Sequence, residues 1–73
     1  MPFIQVKVFE GELNQEQSKN LISKITNAVT EVTNKKLRDM TWVVIDEIKS
    51  GHWGVGGNAL GLDDVKKLIE TNQ

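Results

Sequence analysis

The 73-residue chain lacks cysteine altogether and contains one proline, Pro2, and one histidine, His52. Without cysteine there is no disulfide framework, and a single histidine argues against a structural zinc site, so we expect no metal site. A signal-peptide segment and a long apolar run are absent as well. We therefore expect a soluble, cytoplasmic protein with no membrane partner.

Neither sign of charge is in large excess. The chain has nine Lys and Arg residues and ten Asp and Glu residues, for a net charge of −1. A nucleic-acid-binding surface needs basic residues massed on one face, so no nucleic-acid partner is expected. The densest basic cluster is Lys35, Lys36 and Arg38. We interpret it as a solvated turn that follows a helix rather than as an anion site.

The length allows one domain, which we take to span residues 1–73. A chain of this size buries only about 60% of the surface that its unfolded form exposes, so it needs disulfides, a metal or partner subunits to be stable. The composition argues against disulfides and a structural metal, so we expect the chain to gain its stability by self-association.

Hydrophobic periodicity predicts a strand, a helix and a second strand in the first two thirds of the chain. Residues 3–9 alternate between apolar and mixed positions, and residues 41–48 are rich in β-branched side chains. Between them, residues 15–33 carry an apolar stripe at helical spacing, preceded by a capping box formed by Asn14 and Gln17. A βαβ unit with parallel strands is therefore predicted.

The last third predicts smaller elements. Residues 51–57 form a glycine-rich loop or short hairpin, and residues 62–70 form a short amphipathic helix that begins at Asp63 or Asp64. The fold class is accordingly α+β.

One helix covers only one face of a two-stranded sheet, whereas the other face carries Phe3, Phe9, Trp42 and Val44. Leaving these side chains in water would forgo many kcal/mol, so we expect a homo-oligomer with its site between subunits.

Most catalytic constellations are missing from the sequence. There is no thiol, no Gly-x-Ser-x-Gly elbow and no phosphate-binding loop ending in Lys-Ser/Thr. Asp46, Glu47, Glu10 and Glu12 are better explained as solvent and turn residues than as acids or bases, and His52 as a loop residue.

Pro2 offers a different chemistry. Methionine aminopeptidases remove Met1 when the second residue is small, which would leave Pro2 as a secondary amine. An ordinary α-amino group has a pKa of about 7.7–8.0, and apolar surroundings lower the pKa further, so the amine would be a competent general base near neutral pH. A Met-Pro start alone is also consistent with a proline that merely begins an edge strand.

Three segments together carry a family resemblance: Met-Pro-Phe-Ile-Gln-Val-Lys-Val-Phe-Glu-Gly at 1–11, Val-Val-Ile-Asp-Glu at 43–47 and Gly-His-Trp-Gly-Val-Gly-Gly at 51–57. From Pro2 to about Gly57 the chain resembles the 4-oxalocrotonate tautomerase family, whose members share the tautomerase/MIF-like fold. The resemblance implies a βαβ subunit with a C-terminal hairpin, assembled as dimers and as a hexamer of three dimers. It also implies a cofactor-free 1,3-proton shift between enol and ketone on a small 2-oxo acid or related carbonyl compound.

By the same resemblance, Pro2 is the general base and acid, and Trp53 is an aromatic residue that a neighbouring subunit contributes to the pocket. We expect Trp42, Phe3 and Phe9 to line that pocket. Members that act on dicarboxylates carry arginines where this chain has Glu12 and Trp42. The sole arginine, Arg38, reaches the site only if the turn that carries it folds over the pocket. Trp42 therefore favours an aromatic or uncharged enol.

Two alternatives remain open from the sequence. One is a hydratase or dehalogenase of an unsaturated acid, which relatives perform with a cationic proline and extra arginines. The other is a non-catalytic oligomeric binding protein that keeps the fold, for which retention of Met1 would be diagnostic.

Overall fold

The computed structural model describes residues 1–71. The elements are, in chain order, β1 (Phe3–Phe9), α1 (Gln15–Val32), a 3-10 helix (Lys35–Met40), β2 (Trp42–Ile48), β3 (Trp53–Val55), β4 (Asn58–Leu60) and α2 (Leu62–Thr71). The predicted α+β class, with a βαβ unit followed by a hairpin and a short helix, is confirmed.

The boundaries differ slightly from those predicted. Thr33 is the C-cap of α1 and donates its backbone N–H to the Val29 carbonyl at 2.9 Å, so the helix ends one residue earlier than its pattern suggests. Thr41 caps the 3-10 helix, and β2 therefore begins at Trp42. The predicted polar turn between α1 and β2 is this 3-10 helix, whose start is fixed by the Asn34 side chain accepting from the Lys36 N–H at 2.9 Å.

The start of α1 is built as predicted. The Gln17 N–H donates to the Asn14 side-chain oxygen at 2.8 Å, and the Asn14 N–H donates to the Gln17 side-chain oxygen at 2.9 Å. This reciprocal pair satisfies two backbone donors that a helix N-terminus leaves without partners.

The central sheet consists of β1 and β2, which pair in parallel from Phe3 opposite Trp42 to Phe9 opposite Ile48. Because side chains alternate along a strand, Ile4, Val6 and Val8 share the less exposed face with α1. Phe3, Trp42 and Val44 lie on the other face and are 62%, 58% and 39% exposed. The predicted uncovered apolar face is confirmed for these three residues.

For Phe9 the same prediction was wrong. Phe9 is only 5% exposed, because the ring of Trp53 packs against it with 4.9 Å between ring centroids and a 36° tilt. Trp53 arrives there on the β3–β4 hairpin, whose two-residue turn uses Gly56 and Gly57 at φ of 59° and 84°. Positive φ at both turn positions is what a tight hairpin of this kind requires, and glycine adopts it without strain.

The protomer has little interior. Among the described residues, Val8, Phe9 and Thr30 are the ones buried below a tenth of their surface. The radius of gyration is 15.0 Å, whereas a compact chain of this length has a radius of about 11 Å. Its extents of 42 × 27 × 21 Å describe an elongated subunit.

Within residues 1–71 no helix combines the length and apolar character needed to cross a membrane.

Candidate active site

Pro2 lies immediately before β1, at the end of the sheet where β1 and β2 begin. Its carbonyl oxygen accepts a hydrogen bond from the Trp42 backbone N–H at 3.0 Å, which ties Pro2 to the start of β2. Pro2 is half-buried, while Met1 is 76% exposed ahead of it. Removal of Met1 would therefore take little packing from the fold and would expose a secondary amine at a fixed position.

An apolar patch adjoins Pro2 on the uncovered sheet face. We define this open apolar patch as Phe3, Trp42 and Val44, the three exposed residues that the strand register places near the Pro2 end. Phe3 and Trp42 are direct neighbours in that register. The patch offers ring faces and one indole N–H donor to a bound molecule.

Further along the same face lies an ion pair that the sequence pattern did not reveal. Lys7 Nζ is 2.8 Å from Asp46 Oδ2, and Gln5 Nε2 donates to the same oxygen at 3.4 Å. Lys7 and Asp46 are direct neighbours across the strands. A correct parallel register would have revealed the pair, because both residues occupy outward positions. Asp46 therefore pairs with a cation on an exposed face inside β2. Its side chain is partly in solvent as expected, but it does not lie in a turn.

Phe9 and Trp53 occupy the opposite end of β1. Six residue steps separate Phe3 from Phe9, so at about 3.3 Å per residue the two ends lie about 20 Å apart. Within one protomer the structure therefore brings Pro2, Phe3 and Trp42 together and keeps Phe9 and Trp53 away from them. A molecule the size of a small 2-oxo acid cannot contact both groups in a single subunit.

Arg38 is held on the helix side of the protomer. Its guanidinium donates to the Asn27 side-chain oxygen of α1. Together with Thr30, Glu31 and Lys35, these two residues line a cleft of about 420 Å³. The structure thus joins Arg38 to α1 and gives it no contact with Pro2 in the same subunit.

Glu12 and His52 have local roles. The Glu12 carboxylate accepts the Phe9 N–H at 3.0 Å, and the Glu12 N–H donates to the Phe9 carbonyl at 3.0 Å, so Glu12 closes the turn after β1 as expected. The His52 N–H donates to the Lys49 carbonyl at 2.9 Å in an exposed turn. In the part of the chain that the structure describes, no cluster of three or more histidine or acidic side chains can hold a metal ion.

A chain with a proline at the start of a βαβ unit and an apolar patch beside it has the architecture of small tautomerases, and the comparisons with known proteins agree. The family model described as tautomerase enzyme matches residues 2–63. The chain belongs to the tautomerase family and is a tautomerase enzyme.

Individual relatives support this assignment. A Staphylococcus aureus protein named as a probable tautomerase is 46% identical over 57 residues, which cover 78% of this chain and 90% of that protein. A probable tautomerase of Staphylococcus saprophyticus is 42% identical over 57 residues, with coverage of 78% and 90%. The solved structure of a 4-oxalocrotonate tautomerase isozyme from Methylibium petroleiphilum is similar at a TM-score of 0.70 and 31% identity, covering 80% of this chain and 90% of that one.

Proposed function

We propose that this protein interconverts the enol and keto forms of a small 2-oxo acid or related carbonyl compound, with Pro2 as general base and acid. Residues 1–73 would form one tautomerase domain, from which Met1 is removed in the mature protein. The observation that carries the proposal is the position of Pro2 at the free end of β1, bonded to Trp42 and next to the open apolar patch, in a chain of the tautomerase family.

The chemistry needs one nitrogen and no cofactor. The neutral Pro2 amine takes the proton of the enol hydroxyl, and the oxygen electrons form the carbonyl as the C=C electrons move to carbon. That carbon then takes a proton from the prolinium N–H, which returns Pro2 to its neutral form and leaves the ketone. Once a second subunit covers Phe3 and Trp42, we expect these side chains to favour the neutral amine, because apolar surroundings disfavour the cationic form.

A second subunit would complete the site. Trp53 packs on Phe9, about 20 Å from Phe3 along β1, so its predicted place in the pocket requires a neighbouring copy to bring its hairpin to the Pro2 end. The same holds for Phe9, and for Arg38, which in its own protomer is bonded to Asn27. The exposed patch and the elongated subunit support an oligomer, and a homohexamer of three dimers is the assembly that the resemblance implies.

The test compares two forms of one sequence. Protein with Met1 removed and protein that retains Met1 are prepared, and intact mass verifies the N-terminus of each. The decay of the enol is then followed by ultraviolet absorbance for phenylenolpyruvate and for 2-hydroxymuconate with each form. In the retained form the Pro2 nitrogen is a tertiary amide without basic character. We expect the retained form to be slower by at least about 100-fold, the lower range of general acid-base effects.

Pro2→Ala in the processed protein is the second arm. Its primary amine keeps a basic nitrogen at the N-terminus but changes the basicity and position of that nitrogen, so we expect a partial loss in kcat with the fold intact by circular dichroism. Equal rates for the processed, unprocessed and Pro2→Ala proteins would show that another group is the base.

A further inference from the structure

The cleft between α1 and the 3-10 helix has no part in the proton transfer proposed at Pro2 of the same subunit. One wall comes from α1, where Asn27, Thr30 and Glu31 recur at the spacing that places side chains on one helix face. The other wall comes from the 3-10 helix, where Lys35 and Arg38 lie one turn apart and so share a side. The cleft volume of about 420 Å³ lies in the range of small-molecule sites, about 300–1,000 Å³.

Arg38 is held in this cleft by a neutral partner. One N–H of its guanidinium donates to the Asn27 side-chain oxygen. Within residues 1–71 neither Arg38 nor Lys35 pairs with a carboxylate. The guanidinium is therefore oriented without being neutralised, and its other N–H donors are left for a planar oxyanion. Because Asn27 already restricts the side chain, less conformational entropy is lost when an anion binds.

The remaining residues of the cleft restrict the kind of anion. Thr30 is 5% exposed, and its hydroxyl donates to the Thr26 carbonyl at 2.8 Å, so it closes the cleft without offering a free donor. Glu31 puts a carboxylate in the same cleft as the two cations. A carboxylate repels further negative charge and accepts a hydrogen bond from a hydroxyl or ammonium group. The cleft therefore fits a monoanion with a hydrogen-bond donor better than it fits phosphate.

We propose that this cleft binds a small monocarboxylate with a hydroxyl or ammonium group next to the carboxylate. Arg38 and Lys35 hold the carboxylate, and Glu31 accepts from the donor group. The sequence interpretation of the basic cluster as a solvated turn then applies to Lys36 alone, which does not line the cleft. One protomer forms the site and no basic nitrogen at Pro2 is needed, so the site is independent of the proposed proton transfer.

Heteronuclear NMR of the nitrogen-15-labelled full-length protein tests the site, with L-lactate, L-alanine, propionate and inorganic phosphate as probes at constant ionic strength. We expect L-lactate or L-alanine to shift the Arg38 Nε–H resonance saturably, with a dissociation constant at least about threefold below those of propionate and phosphate. The tighter of the two identifies the donor as hydroxyl or ammonium. Equal constants for all four probes, or no saturable shift with any of them, would overturn the proposal.

Charge removal tests the two cations. Arg38→Gln should raise the dissociation constant of the tighter probe at least about tenfold, because the guanidinium fork is lost. Lys36→Gln removes the same charge from the same 3-10 helix outside the cleft and should leave that constant unchanged. Should Arg38→Gln disturb the contact with Asn27, Lys35→Gln keeps that contact and should also weaken binding. Equal constants for wild type, Arg38→Gln and Lys35→Gln, or equal weakening by Lys36→Gln, would refute the site.

Two further measurements test the selectivity and the independence of the site. Glu31→Gln should remove the preference for the donor-bearing acid, so that propionate and the tighter probe bind alike; an unchanged preference contradicts the role of Glu31. Binding should be the same in protein that retains Met1 and in protein that lacks it. Binding confined to the processed form would instead assign Arg38 to the Pro2 site of a neighbouring copy, and the separate cleft site would be wrong.

Discussion

The substitution Phe9→Ala tests how much of the stability of the protomer comes from its few buried residues. Phe9 is 5% exposed and in ring contact with Trp53. Replacing a buried Phe by Ala costs about 3–5 kcal/mol, of which the aromatic pair accounts for about 0.5–1.5 kcal/mol. We therefore expect Phe9→Ala to lower the free energy of unfolding by about 4 kcal/mol, a large part of the roughly 5–15 kcal/mol that a domain has.

The matched variant is Phe3→Ala, which removes the same ring from a residue that is 62% exposed in the protomer. Burying a whole Phe side chain is worth about 1.5–3 kcal/mol, so within the protomer this change should cost about 1 kcal/mol. Any further loss must come from subunits that cover Phe3, and that part will depend on protein concentration.

The assay is guanidinium unfolding followed by far-ultraviolet circular dichroism at several protein concentrations. Should Phe9→Ala be too unstable to purify, Phe9→Leu keeps most of the burial and removes the ring pair, for an expected loss of about 1 kcal/mol. The reasoning fails if Phe9→Ala costs no more than Phe3→Ala at the lowest concentration at which both fold.

Two more predictions follow from single contacts. Trp42→Arg should raise the kcat/KM ratio of 2-hydroxymuconate over phenylenolpyruvate by about tenfold or more, because a guanidinium beside Pro2 binds a second carboxylate, and Trp42→Phe should leave the ratio near wild type. If the ratio rises equally in both variants, Trp42 does not set the charge preference. Asn14→Ala should lower the free energy of unfolding by about 1 kcal/mol through loss of the capping box, while Asn14→Ser should retain most of it; a urea denaturation series that finds both variants unchanged contradicts the role of the cap.

The main elements were predictable because their signals are local. β1 and α1 have clear periods of 2 and 3.6, and the capping box marks one helix start. The glycine-rich segment 51–57 predicts a loop or short hairpin, and the structure has the hairpin at 53–60. The 3-10 helix at Lys35–Met40 was missed because it is short and polar and has no periodic pattern.

The site was only partly predictable because its contacts are not local. The nearness of Pro2, Phe3 and Trp42 follows from a parallel register that pairs the two strand starts. The burial of Phe9 depends on how the hairpin returns over the sheet, which a strand pattern does not encode. Whether Trp53 and Arg38 reach Pro2 depends on a second subunit. The sequence pattern identifies these residues as candidates but does not predict where they lie relative to Pro2.

The two-stranded sheet has a consequence for how the chain is made in cells. Within residues 1–71, β1 and β2 pair only with each other, so the outer backbone edge of each strand is open in the separate subunit. Open edges recruit further strands, including those of unfolded neighbours. Newly synthesised chains should therefore partition between productive encounter and aggregation, and slower synthesis at lower temperature should raise the yield of native protein.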